Sequence, residues 1–321
     1  MKPILKLYRG YANEQELIVM GHVFKPTSIK EYDFQKKNIR NATSIINMFR
    51  IKTEANADIY LKYNDRTIHT KTLNDGYFKF CVPLHQIETY GWIEYQVSMI
   101  YNNNEIVAKE RYIRPHKGEL GIISDIDDTF LVTHSRNIFK KLYILLFRNV
   151  SKRKVFKDVV AHYQALNIAG RANPKEQNAF FYVSSSEWNL YRFIIKFTEI
   201  HQLPNAVLLL KDIKTSLIDF LVTGRSNHNH KFEKIKHILE FYPDLQYILL
   251  GDDSQQDPVL YEAICKIFPI TVKAIYIRQT GKHKKESTLK ALKNIESLDV
   301  AVCYFKNSSE AIEHSKSIGI I

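Results

Sequence analysis

From Leu120 onward the chain alternates between two rhythms that few folds accept together. Strand-length apolar runs (LGIISD, AFFYVSS, AVLLLKD, QYILLGD, VKAIYIR, VAVCYF) are separated by stretches with helical spacing. Those stretches are RKVFKDVVAHYQAL, EWNLYRFIIKFTEI, HKFEKIKHILEFY, DPVLYEAICKIF and SEAIEHSKSI. Strands apolar on both faces need cover on both sides, and strand–helix alternation supplies it as a parallel α/β sheet. Ligands in such sheets bind at the carboxyl ends of the strands, near a topological switch point.

Up to about Arg114 the rhythm is shorter and alternating, in ELIVMGHVF, ADIYLKY, RTIHTKTL, GYFKFCVPL and WIEYQVSMIY. Asn74-Asp75-Gly76 marks a hairpin or tight turn, because Gly tolerates positive φ. Short aromatic-rich strands at this spacing predict an antiparallel β-sandwich. Tyr32 to Phe49 reads as helical or irregular. RPHKGE, with Pro115 and Gly118, is a linker, so the expected division is a β-rich domain over 1–116 and an α/β domain over 117–321. A length of 321 residues fits two domains, at about 150 residues each.

The chain carries a formal net charge of +12, which attracts polyanions: nucleic acid, anionic membrane or phosphorylated substrates. Charge alone does not choose among them. Cys81, Cys265 and Cys303 lie far apart without a CxxC pair, which argues against a disulfide framework or a cysteine zinc site. The start lacks an apolar signal region, and no apolar run is long enough to span a bilayer. The expectation is a cytoplasmic protein.

Polar residues collect at the strand ends. The first α/β strand runs into Ser124-Asp125-Ile126-Asp127-Asp128-Thr129, and three carboxylates in four positions repel unless a cation neutralises them. A hard divalent ion with oxygen ligands would do so; an acidic turn or helix start is the plain alternative. The second strand ends in Val183-Ser184-Ser185-Ser186, hydroxyls able either to donate to phosphate or to cap the next helix. The fourth ends in Gly251-Asp252-Asp253, and Asp257 before Pro258 reads as an N-cap with Pro at N1. A second acidic cluster at another strand end strengthens the metal reading. Lys231 opens the following helical stretch and, taken alone, is an ordinary solvated charge. His228 and His230 flank Asn229, but an oxygen-preferring metal does not call for them. HExxH, GxSxG and Walker motifs are absent.

In that order, Asp125/Asp127, Ser184, Lys231 and Asp252 with Asp257 resemble the four-motif layout of haloacid-dehalogenase-like phosphohydrolases. SDIDDT, FYVSSSEWNLY, HKFEKI, LLGDDSQQDPVLYEAI and KAIYIR are similar to the catalytic domain of the actin-patch-type phosphatidate phosphatases. The resemblance spans roughly Gly118 to Arg278 and implies a haloacid-dehalogenase-like Rossmannoid sheet behind the β-rich domain. It implies Asp125 as nucleophile and Asp127 as general acid and base. The implied Mg²⁺ ligands are Asp125, the main-chain carbonyl of Asp127, and Asp252, with Asp257 or Asp253 in support. Ser184, Ser185 and Lys231 would hold the phosphoryl group, and Thr129 would brace the loop.

The expected function is therefore a Mg²⁺-dependent phosphomonoesterase, with phosphatidate the substrate implied by resemblance. The alternatives are a phosphatase of a soluble phosphometabolite or nucleotide, and a non-catalytic protein that binds anionic membrane or nucleic acid through its basic surface. Nucleic acid is the less expected partner, because binding alone needs no pair of acidic strand ends. Asn137 to Phe156 mixes Leu142, Leu145 and Phe147 with Lys152, Arg153 and Lys154. It reads either as an interfacial element for anionic membrane or as an ordinary helix packed on the sheet.

Overall fold

A computed structural model describes residues 2–26, 52–84, 89–116, 118, 120–126, 129, 156–173, 176–211 and 228–321. For residues 186, 187, 189, 228 and 229 only the backbone is described. Asp127, the Tyr32–Phe49 stretch and the 137–155 segment lie outside the described residues. The chain divides into two compact units, whose described parts meet in sequence between His116 and Gly118.

The first unit holds strands β1 (Ile4–Ala12), β2 (Glu16–Phe24), β3 (Asp58–Tyr63), β4 (Arg66–Lys71), β5 (Tyr77–Pro83), β6 (Gly91–Tyr101) and β7 (Asn104–Arg114). Alternation sets its core: Leu17 and Val19, Ile59 and Leu61, Phe78 and Phe80, and Tyr95, Val97 and Met99 all point inward. The strands form one seven-stranded sheet in the order β4-β3-β6-β7-β1-β2-β5. This departs from the expected pair of facing antiparallel sheets. The reason is β1, which pairs antiparallel with β2 on one side and parallel with β7 on the other, joining both groups into one mixed ladder. The edge strands β4 and β5 approach each other, so the sheet curls toward a barrel. Asn74-Asp75-Gly76 forms a tight turn: Gly76 has φ 76°, and its N–H donates to the Leu73 carbonyl at 2.9 Å.

The second unit is a parallel α/β sheet. Its strands are β8 (Leu120–Ser124), β9 (Ala179–Glu187), β10 (Val207–Lys211), β11 (Gln246–Asp252), β12 (Val272–Arg278) and β13 (Ala301–Phe305), in the order β10-β9-β8-β11-β12-β13. Every pairing is parallel. The helices are α1 (Val159–Ile168), α2 (Tyr191–Ile200), α3 (His228–Phe241), α4 (Asp257–Ile267), α5 (Glu286–Glu296) and α6 (Ser308–Ser317). α1 packs with α6, while α3, α4 and α5 pack in succession. Ile122, Ile123, Phe180, Phe181, Ile248, Leu249, Ile275 and Ile277 are buried, as strands covered on both faces require. Chain order runs outward from β8 through β9 to β10 on one side, and from β11 through β12 to β13 on the other. The switch point therefore falls between β8 and β11.

Candidate active site

Asp125 and Asp252 leave the two strands that flank the switch point. The Asp125 N–H donates to the Leu250 carbonyl at 2.9 Å, so the β8–β11 ladder reaches the acidic residue itself. Ser124 Oγ donates to the Asp125 carbonyl at 2.6 Å and meets Tyr163 Oη at 2.7 Å, pinning the turn from below.

Asp257 joins them from the first turn of α4. One carboxylate oxygen from each of Asp125, Asp252 and Asp257 lies within 4.8 Å of those of the other two. All three residues are at most 2% exposed. Gln256 occupies the N-cap and Asp257 is the first residue of the helix, with Pro258 next, so Asp257 is not the cap its sequence position suggested. Its carboxylate instead accepts the Asp252 N–H at 3.3 Å and the Lys231 ammonium at 2.5 Å. Gly251 permits this approach: a Cβ there would stand 2.7 Å from Asp257 Oδ2 and 2.9 Å from its Cβ.

Lys231, in the first turn of α3, is 4% exposed and not the solvated charge its sequence context suggests. Its ammonium lies 3.0 Å from Asp125 Oδ1. Burial opposes this charge, but Asp125, Asp257 and Asp252 outweigh it and hold the lysine pKa above its ordinary value.

One ammonium against three buried carboxylates leaves negative charge in excess. Asp252 carries the consequence: burial first, then repulsion by Asp257, pushes its pKa up to about 7. Its Oδ1 accepts the Ser254 N–H, while its buried Oδ2 has no hydrogen-bond partner. An orphaned carboxylate oxygen beside two further carboxylates is a donor set for a hard divalent cation, and the residues present fit one. The cluster contains no histidine among the described residues.

Asp253 points elsewhere. It accepts the Thr280 N–H at 3.0 Å and the Tyr304 hydroxyl at 2.7 Å, with Lys285 Nζ at 3.5 Å. Burial would raise its pKa, but these partners outweigh it and lower it. Asp257 rather than Asp253 thus stands in the cluster.

Ser184 is buried on β9, two residues beyond Tyr182, which pairs with Ser124 in β8; Ser185 is half-buried. Both continue the strand, which runs to Glu187, and neither caps α2, whose N-cap is Leu190. Thr129 is buried, and its carbonyl accepts Arg278 Nε at 2.7 Å. Sequence reasoning missed two neighbours of the cluster. Gln255 reaches Asp125 Oδ2 at 3.4 Å, and Arg278 holds the loop after β8. The signal for Arg278 was an arginine closing an otherwise apolar strand; Gln255 had none.

Residues 120–279 match the family model described as phosphatidate phosphatase APP1, catalytic domain. The chain belongs to this family. The matched span contains Asp125, Ser184, Lys231, Asp252 and Asp257, so every described member of the site lies inside the APP1 catalytic domain. Phosphatidate phosphatase APP1 of Saccharomyces cerevisiae is 28% identical over 167 residues, covering 52% of this chain. The match takes in 27% of the yeast protein's length.

Among solved structures, a carbohydrate acetylesterase from Xanthomonas citri aligns with TM-score 0.35 and 11% identity, over 95% of this chain and 68% of that one. A β-glucuronidase from Parabacteroides merdae aligns with TM-score 0.32 and 7% identity, over 94% and 39%.

Proposed function

We propose that this chain is a Mg²⁺-dependent phosphomonoesterase that converts phosphatidate to diacylglycerol and phosphate. The supporting observation is the buried Asp125–Asp252–Asp257 cluster, with Lys231 inside it and Asp252 Oδ2 unpartnered. Asp125 and Asp252 would hold the cation, with the Asp127 carbonyl as a further ligand assigned from sequence and Asp257 bracing the set. The cation, when bound, neutralises the phosphate oxygens and draws charge from the phosphorus.

This chain's residues account for the rest. Asp125 attacks phosphorus and forms an aspartyl-phosphate as the bond to the glycerol oxygen breaks. Asp127, a role assigned from its sequence position alone, gives that oxygen a proton. Its carboxylate then takes a proton from the water that splits the aspartyl-phosphate. Lys231 stands against Asp125 and offers its ammonium to the transferring phosphoryl oxygens. The hydroxyls of Ser184 and Ser185 and the Thr129 turn complete the phosphate cradle. Positioning and electrostatics supply most of such catalysis.

We assign residues 117–321 as the phosphatase domain and 1–116 as a β-rich companion. Among the described residues no helix is long and apolar enough to cross a membrane. A cytoplasmic enzyme meeting its lipid at the membrane surface fits that, and nucleic acid is not its expected partner. Phosphate release from phosphatidate micelles, a sugar phosphate and a nucleotide, each with and without Mg²⁺, tests the assignment. Preference for phosphatidate supports it; preference for a water-soluble ester makes this a metabolite phosphatase using the same residues.

A further inference from the structure

The loop between β12 and α5, residues 279–285, reads Gln-Thr-Gly-Lys-His-Lys-Lys, with no acidic residue. It leaves the carboxyl end of β12, where Arg278 pairs in register with Asp252 of the candidate site. The loop is tied down from within. The Thr280 N–H and hydroxyl both donate to Asp253, Lys285 Nζ reaches the Asp253 carbonyl, and the Lys285 N–H meets Tyr304 Oη at 3.1 Å. Lys285 is thereby spent on Asp253.

The other polar side chains of the loop tip face outward. Lys282, His283 and Lys284 are exposed, and Lys284 Nζ rests 5.1 Å from the centre of the Tyr304 ring. Lys306, exposed at the end of the neighbouring strand β13, extends the row; its carbonyl accepts Arg278 at 3.4 Å. Among the described residues none of Lys282, Lys284 and Lys306 has a carboxylate partner. Like charges on an anchored loop and at the end of the neighbouring strand repel one another, and an external array of anions relieves that repulsion. The loop leaves the sheet at the carboxyl ends of its parallel strands, the edge that also carries Asp125 and Asp252.

We propose that Lys282, His283, Lys284 and Lys306 form a docking surface for an anionic membrane, holding the carboxyl edge of the α/β sheet against lipid headgroups. This rests on the phosphatidate reading above and adds where the enzyme meets its substrate. A basic residue near an anionic surface raises affinity about fivefold, less at high salt because charges beyond about 8 Å are screened at physiological ionic strength.

The test is co-sedimentation of the full chain with phosphatidylcholine vesicles, with and without about 20 mol% phosphatidate. The parent binds the anionic vesicles and releases them as salt rises. Combined Lys282→Gln, Lys284→Gln and Lys306→Gln weakens that binding about tenfold or more while hydrolysis of a water-soluble phosphate ester is unchanged. A control removes the same charge from the helices through Lys196→Gln, Lys236→Gln and Lys266→Gln, and keeps binding near the parent's.

Equal binding by parent and loop variant, equal loss in both variants, or no binding by the parent overturns the docking surface. Phosphatidate hydrolysis in detergent micelles is read separately. Its absence alongside loop-dependent vesicle binding removes the substrate and leaves the surface; its presence without loop dependence does the reverse.

Discussion

Arg278 Nε donates to the main-chain carbonyl of Thr129 at 2.7 Å, across 149 residues of sequence. Arg278 is 2% exposed, and burial lowers its pKa to about 10. Its other hydrogen bonds go to Ser308 Oγ at 2.9 Å and the Lys306 carbonyl at 3.4 Å, while Phe156 and Phe305 cover its faces. None of these partners is a carboxylate. A buried guanidinium that binds loops is costly to keep unless the loops need holding. Arg278→Met leaves the Thr129 carbonyl without its donor and should cost about 1–3 kcal/mol of stability. Phosphatase kcat should fall further than thermal melting explains, and Arg278→Lys should restore part of it.

Asp252→Asn separates stability from function. In the metal-free folded protein the Asp252 pKa is raised to about 7, well above its unfolded value. The stability tied to its protonated form is present at low pH and lost as pH rises through 7. Asparagine carries no such penalty, so metal-free melting of the variant should gain on the parent as pH climbs from 4 to 8. The Mg²⁺-induced rise in melting temperature should disappear in the same variant. Loss of that rise without the pH-dependent gain would assign Asp252 to metal binding but not to the stored charge.

Gly251→Ala tests the close approach of Asp257 to β11. The new methyl would stand 2.7 Å from Asp257 Oδ2 and 3.0 Å from Tyr261 Cε2, too near for either to stay. Overpacking of this kind costs about 1–3 kcal/mol. Displacing Asp257 from Lys231 should lower kcat/KM about tenfold with far-ultraviolet circular dichroism unchanged. An unaffected rate would mean Asp257 need not hold this position.

Two buried histidines predict acid lability. Burial lowers the pKa of His22 and of His162 to about 4. His22 Nδ1 meets Tyr8 Oη at 3.0 Å, and His162 Nε2 meets Ser315 Oγ at 2.9 Å. The folded pKa lies below the unfolded one, so the neutral forms stabilise fully above about pH 6.5, and the contribution is lost as pH falls toward 4. Denaturant midpoints measured across that window should drop, and His162→Gln should flatten part of the drop.

The α/β half was legible because period and apolar run length report burial on both sheet faces directly. DID after β8 and GDD at the end of β11 stood out because like charges side by side need a physical reason. What stayed hidden depends on the third dimension. Lys231 is one of 46 basic residues, and its burial follows from the turn of α3 over the sheet. Asp253 and Asp257 are equally acidic in sequence, but the bend after β11 sends Asp253 toward Thr280 and Tyr304 while the first turn of α4 sends Asp257 to Lys231. In the first unit, alternation predicted short strands, and the strands that carry the buried Leu17, Ile59 and Val97 fall within the predicted runs. It said nothing of the parallel β1–β7 pair that merges the strands into one sheet.

The most direct measurement is phosphate release from phosphatidate micelles by the parent and by Asp125→Asn, each with Mg²⁺ and with a chelator. The parent should turn over with Mg²⁺ and not with the chelator, at least about a thousandfold above the Asn variant, with the variant still folded. Turnover that survives the chelator, or that Asp125→Asn retains, would contradict the proposed mechanism.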